Sequence, residues 1–346
     1  MISRVIPSVA RDIFRISLGA MRLGMTLALL LGTTQGALAA TFPLPPPNDS
    51  VVGDVGFDVT REDDTLIDVA RRHHLGYEEL ILANPAVDHW LPPAGTTVTL
   101  PTRYILPPGP REGIVVNIAE FRLYYYPKPK KKDKQRVVHV YSISAGREDW
   151  QTPQTARTQV VAKVVNPAWY PPKTIRKEHA DDGRPLPAIV PPGPDNPLGK
   201  LALKLGIKGG YFIHGSSKPF GIGMQVTHGC LRLYPDDMEA LFKMVPVGTK
   251  VRVIDQPYKT GWKGGVLYLE VHTPALQDSG EPTPAEKPFA EQAIKDALAR
   301  RPNYDVDWDS IDMLLGKPQG MPIAVPPRAR EQASVSSRGA KRRGIS

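Results

Sequence analysis

Along this chain the period of the apolar positions changes several times, and each change marks a part. Between 65 and 72, Leu66, Val69 and Ala70 fall on one face of a helix, and residues 77–83 predict a second helix, stopped by Asn84-Pro85. Short β-type runs flank the pair at 57–60 and 97–100, which predicts a small α+β module in the order strand, helix, helix, strand. From 113 onward the pattern turns mostly β. Residues 114–118 and 121–126 predict a hairpin about Ala119-Glu120, 137–143 a third strand and 249–254 a last one. One amphipathic helix interrupts them at 236–244. After Pro257 the signal weakens to a hairpin within 262–271 and a helix at 290–301.

Proline-rich and polar stretches separate these parts. Residues 40–56 read as an extended spacer and 102–112 as a linker, while 326–346, rich in Ser, Arg and Gly, reads as a disordered basic tail. The segments 166–172 (NPAWYPP) and 190–199 (VPPGPDNPLG) predict rigid loops that flank or lid a cleft. The expected layout is a leader at 1–39, the spacer, the module at 57–101, the linker, the main β domain at 113–256, an extension at 257–325 and the tail.

With 346 residues, 41% of them apolar, the chain can build two domains with a sizeable core. Arg4, Arg11, Arg15 and Arg22 accompany an apolar stretch at 23–32 that is too short to span a bilayer, and Ala37-Leu38-Ala39 offers the small residues a signal peptidase reads. This predicts a signal peptide cleaved near Ala39, a mature protein in the periplasm and no membrane span after cleavage. The net charge of +9 is modest and gathers in the leader, the 128–136 run and the tail. The 128–136 run reads as a solvated hairpin loop. Nucleic acid is not an expected partner, because no binding motif accompanies the charge.

The chain has one cysteine, Cys230, so no intrachain disulfide can form, and an odd cysteine in an exported protein calls for a chemical reason. It stands in HGSSKPFGIGMQVTHGCLRL, residues 214–233. Gly229 lets the backbone turn tightly before Cys230, so that the adjacent N–H groups can face a developing oxyanion. Arg232 alternates toward the cleft side, and a guanidinium suits bidentate capture of a carboxylate. His214 ends the apolar run Tyr211-Phe212-Ile213, just before Gly215, while His228 lies two residues from Cys230. The residue pattern leaves the general base open between them. His214, His228 and Cys230 are also chemically adequate metal ligands, but no fourth ligand or paired-cysteine spacing accompanies them. No metal and no cofactor are expected. His73 and His74 read as solvated residues at a helix end.

Three blocks, NPLG at 196–199, YFIHG at 211–215 and THGCLRL at 227–233, resemble the L,D-transpeptidase or YkuD-domain family, with Thr227 where that family usually carries serine. The resemblance runs from 113 to 255. It implies a mostly β catalytic domain, a YkuD-like β-sandwich with a short helix. It also implies Cys230 as nucleophile, His214 as base oriented by the Gly215 carbonyl, and the Gly229 and Cys230 amides as oxyanion donors. Arg232, His228 and Thr227 would bind or shape the substrate site. The 57–101 module resembles a LysM module, a peptidoglycan-glycan binding fold, through Val59, Asp63, Leu66, Ile67, Ala70, Leu80, Ile81, Asn84-Pro85 and Val98-Thr99-Leu100-Pro101, with Glu62 and Asp64 departing from its usual turn. Together the resemblances imply an enzyme of the Gram-negative envelope subgroup whose partners are peptidoglycan stem peptides, glycan strands and an envelope lipoprotein acceptor. The implied reaction releases D-Ala from a tetrapeptide stem through a Cys230 thioester and passes the acyl group to an amine, as a 3-3 crosslink or a lipoprotein attachment. Two alternatives are a hydrolase, with water as acceptor, and a non-catalytic wall-binding protein in which the module alone acts.

Overall fold

The computed structural model describes residues 40–131, 133, 135–147, 151–154, 156–272 and 287–328, all within one unit that runs from Ala37 onward. The expected signal peptide and most of the expected tail lie outside the described residues. No helix among the described residues is long and apolar enough to cross a membrane.

The chain begins with β1 (Ala40–Pro43), β2 (Val51–Gly53) and β3 (Gly56–Val59), followed by α1 (Leu66–Arg72), α2 (Tyr77–Ala83), β4 (Thr97–Leu100) and β5 (Arg103–Ile105). β3 and β4 pair antiparallel, and Leu66, Val69, Leu80 and Val98 bury themselves between them and the two helices. Thr65 starts α1 with a reciprocal capping box to Asp68, and Asp63 takes the left-handed turn position before it, at φ 62°. The predicted strand–helix–helix–strand order is the order found.

The central region follows as β6 (Gly113–Asn117), β7 (Arg122–Tyr126), β8 (Val137–Ser142), β9 (Ala145–Gly146), β10 (Arg157–Val165), α3 (Lys173–Asp181), β11 (Leu201–Leu205), β12 (Phe212–His214), β13 (Gln225–Thr227), β14 (Leu231–Arg232), α4 (Pro235–Met244) and β15 (Lys250–Ile254). One nine-stranded sheet orders them β1-β8-β7-β6-β15-β10-β11-β12-β14, which makes the domain mostly β. β6 and β7 do not alternate apolar with exposed polar positions over Ile114–Val116 and Leu123–Tyr126, because both of their faces are covered. Ile114, Val116, Leu123 and Tyr125 face a core shared with α4 residues Met238 and Leu241. Val115, Tyr124 and Tyr126 face a second core completed by Val52, Tyr104 and Leu106.

That second core corrects two expectations. Residues 40–56 are not a free spacer: β1 pairs with β8 from Ala40↔Val140 to Pro43↔Val137, at a sheet edge where proline costs no ladder bond on the open side. Residues 102–112 are not a free linker either, because β5 pairs with β2 and buries Tyr104 and Ile105.

The chain closes with β16 (Tyr258–Lys263), β17 (Val266–Val271), α5 (Lys287–Leu298), α6 (Trp308–Gly316) and β18 (Ile323–Val325). β16, β17 and β18 form an antiparallel sheet whose Trp262 and Leu267 pack against Ile294 of α5 and Ile311 of α6. Residues 326–328, assigned to the tail from sequence, still belong to this unit, since Pro327 bridges Val306 and the Arg328 amide donates to Asp305 O at 3.0 Å.

A buried ionic cluster joins the three parts. Arg122 of β7 reaches Glu79 of α2 (Nε to Oε2, 2.8 Å), Glu120 (3.0 Å) and Glu270 of β17. Lys259 of β16 sits between Glu120 at 2.6 Å and Glu270 at 3.0 Å. These side chains are at most 4% exposed, so each charge depends on its partners to offset lost hydration.

Candidate active site

The parallel pairing of β12 with β14 sets the site. Its register places Ile213 beside Leu231 and His214 beside Arg232, so Cys230, one residue before β14, lies next to the strand that ends in His214. The Arg232 backbone is fixed from the other side by a reciprocal pair with Ser144, at 2.8 and 3.1 Å.

The turn into Cys230 is a network around one hydroxyl. Thr227 Oγ1 donates to the Cys230 carbonyl at 2.6 Å and accepts the Gly229 N–H at 3.2 Å. Gly229 has φ +94°, which a side chain would strain. Thr152 Oγ1 donates to the Gly229 carbonyl at 2.9 Å and accepts the Gly146 N–H at 3.1 Å. The Gly229 amide expected to face an oxyanion is therefore engaged within the turn, and Thr227 acts on the backbone of that turn.

His214 is buried, and its Nδ1 lies 2.5 Å from the Gly215 carbonyl. An Nδ1–H donating there leaves the Nε2 lone pair as the basic atom. Burial and then the nearby Arg232 charge push the His214 pKa down to about 3, against the pull of the Gly215 and Leu198 backbones. Burial likewise pushes the Cys230 thiol above its ordinary value, with a Phe212 backbone hydrogen bond and Arg232 opposing it. Both directions favour the neutral thiol and the neutral imidazole. Among the described residues, Arg232 Nε has no hydrogen-bond partner although it is buried.

His228 points elsewhere. Its Nε2 stands 3.1 Å from Glu178 of α3, which also takes Arg147 at 2.9 Å. The two proline-rich loops on either side of α3 are tied by the Trp169–Val190 bridge and by Asn196, whose Nδ2 donates to Pro167, Val190 and Pro191 carbonyls at 2.9 to 3.2 Å. Gly199 then abuts Gly215, where an added Cβ would sit 3.3 Å from the Gly215 carbonyl carbon. Glu178, Arg147, Thr152 and the pinning role of Asn196 had no spacing signal in the sequence, because each has a partner 29 to 77 residues away.

Among the described residues the metal-type atoms that converge belong to Glu120, Glu270 and His272, not to His214, His228 and Cys230. Lys259 and Arg122 already occupy those carboxylates, so the place a cation would take holds an ammonium and a guanidinium. A cleft of about 1160 Å³ that Cys230 does not line lies between the 47–50 segment, the 106–111 segment, β16 and α5.

The family model of the L,D-transpeptidase catalytic domain, YkuD, matches residues 111–253. "Probable L,D-transpeptidase YcfS" of Escherichia coli K12 is 39% identical over 308 residues, covering 87% of this chain and 92% of that one. "Probable L,D-transpeptidase ErfK/SrfK" of the same strain is 38% identical over 306 residues, covering 87% and 96%. Among solved structures, the L,D-transpeptidase from Mycobacterium smegmatis aligns at a TM-score of 0.31 and 20% identity over 46% of this chain and 63% of that one. The chain belongs to the L,D-transpeptidase family, and its likeness to these relatives covers most of its length.

Proposed function

We propose that this protein is a periplasmic transpeptidase that acts on peptidoglycan tetrapeptide stems through a Cys230 thioester. The observation that carries the reading is the His214 Nδ1 contact with the Gly215 carbonyl, on the strand next to Cys230, which supports Nε2 as the atom that moves the proton. As Sγ attacks the amide carbonyl between the third-position diamino acid and D-Ala, Nε2 takes the thiol proton. The Cys230 N–H steadies the oxyanion, the Gly229 N–H being held by Thr227. The imidazolium returns the proton to the departing D-Ala amine, leaving the thioester. An acceptor amine then gives its proton to Nε2 as it attacks, and Sγ leaves as the thiol.

Arg232, with its unpartnered Nε, supplies the contact for a substrate carboxylate. The module at 57–101 has the element order of a LysM domain, and binds glycan in this reading. The leader directs export.

The test is incubation of the mature protein with a tetrapeptide stem, with and without a peptide bearing a lipoprotein's C-terminal lysine, with products identified by mass. D-Ala release that disappears in Cys230→Ala is expected. A stem dimer, a peptide conjugate or a tripeptide identifies the acceptor as amine, protein lysine or water. Full D-Ala release by Cys230→Ala sinks the proposal.

A further inference from the structure

We propose that the N-terminal module is a positioning element of the catalytic site: the start of α2 holds the 219–224 loop from which the Cys230 turn hangs. Kinetically the inference rests on the transpeptidase reading above; structurally it stands on backbone contacts alone.

The first free amides of α2 donate into that loop, Tyr77 N–H to Ile222 O at 3.1 Å and Glu78 N–H to Gly223 O at 3.3 Å. The two backbones touch. A Cβ on Gly223, at φ +83°, would lie 2.3 Å from Gly76 Cα and 2.4 Å from Tyr77 N. The opposite side of the loop is bonded to the catalytic strands, with Gly223 N–H to Ile143 O at 3.1 Å, Ala145 N–H to Met224 O at 3.2 Å and Ser144 Oγ to Gly221 O at 2.6 Å. Met224 is followed directly by β13, whose Thr227 folds the Cys230 turn. The loop is therefore clamped between the module and the sheet, and its exit leads to the nucleophile within a few residues.

The module end of the clamp is itself fixed to the catalytic sheet. Glu79 Oε1 accepts the Gly76 N–H at 2.6 Å and the Ser142 hydroxyl at 3.0 Å, and its Oε2 pairs with Arg122. Outside, the Arg71 guanidinium stands 5.6 Å from the Phe220 ring centre. A module acting only as a wall tether needs none of these contacts. A module that positions Cys230 needs them, because a displacement of about 1 Å at a nucleophile costs on the order of 100-fold in rate.

Two alanine variants of the full mature chain separate the possibilities. Gly223→Ala strains a positive φ and drives a Cβ into the clamp. Gly95→Ala imposes the same strain, at φ +84°, in the same module with nothing within 4 Å. On a soluble tetrapeptide stem without glycan, Gly223→Ala is expected to lower kcat for D-Ala release about 10-fold or more with KM within about 3-fold, and to change the iodoacetamide rate at Cys230 by about 3-fold or more. Gly95→Ala is expected to match wild type in both. Wild-type kcat and alkylation in Gly223→Ala, equal losses in the two variants, or a loss seen only on intact wall each overturn the proposal. Should Gly223→Ala not fold, the exposed Arg71→Gln replaces it, with a roughly 2-fold fall in kcat expected and an unchanged kcat overturning. If wild type itself releases no D-Ala, the transpeptidase reading fails, and the alkylation comparison still decides the positioning.

Discussion

Burial holds Cys230 and His214 each toward its neutral form. Their shared burial disfavours both charged forms, and Arg232 alongside further discourages an imidazolium. A thiolate–imidazolium pair in the resting state would contradict both directions. Iodoacetamide should therefore alkylate Cys230 at a rate that climbs with pH through and beyond the ordinary thiol range, with no fast plateau near pH 5–7. Such a plateau would show a standing ion pair and defeat the neutral-pair account. The sign for folding is the same. Below about pH 6.5 the unfolded chain binds a proton at His214 that the folded chain refuses until about pH 3, so this residue erodes stability progressively as pH falls through that window.

Between elements, the join of α1 to α4 carries its own pH dependence. His74, just past α1, stands 2.9 Å from Asp237 of α4, and its ring lies edge-on to Tyr234. The sequence reading of His74 as a solvated helix end is corrected by this contact, since the docked catalytic domain covers that end. Burial pulls the His74 pKa down, but Asp237, aided by Asp236, outweighs it and holds the value above ordinary. A raised value means the pair stabilises fully below about pH 6.5 and fades as pH rises through the folded value. His74→Gln should thus lower the melting temperature by about 2 °C at pH 6 and by much less at pH 8.5. A gap that is constant or grows with pH defeats the pairing. Legibility divides along the same line. The strand before His214, the alternation through Arg232 and the module's four elements were readable because each depends on neighbours within one turn or one pleat. α3, lying between two proline-rich loops, carries no apolar stripe that marks a helix: most of its residues are polar, and its Glu178 finds His228 and Arg147 only after the fold closes. The strands within 40–56 and 102–112 are hidden for a related reason, because proline content describes local stiffness and says nothing of a pairing partner far along the chain.

Across the whole molecule, the ionic cluster makes three sequence segments depend on one another. Glu79 comes from the module, Glu120 and Arg122 from the β6–β7 turn and β7, and Lys259, Glu270 and His272 from β16, β17 and the residue after it, all nearly or fully removed from solvent. A buried pair adds little over an apolar substitute of equal shape, but removing one member strands the rest. Arg122 is the member that touches all three carboxylates, and its loss leaves Glu79 without a cation. Arg122→Met should therefore cost about 3–5 kcal/mol in urea unfolding. Because the cluster spans the three segments, two variants with Arg122 intact, one keeping only Trp90 of the module and one only Trp262 of the C-terminal sheet, should unfold at the same urea midpoint in one transition. A loss below about 1 kcal/mol, or a Trp90 transition separate from that of Trp262, would mean the segments are neighbours rather than one cooperative body. The clamp on the 219–224 loop would then lack a rigid base, since the same Glu79 holds both the cluster and the start of α2.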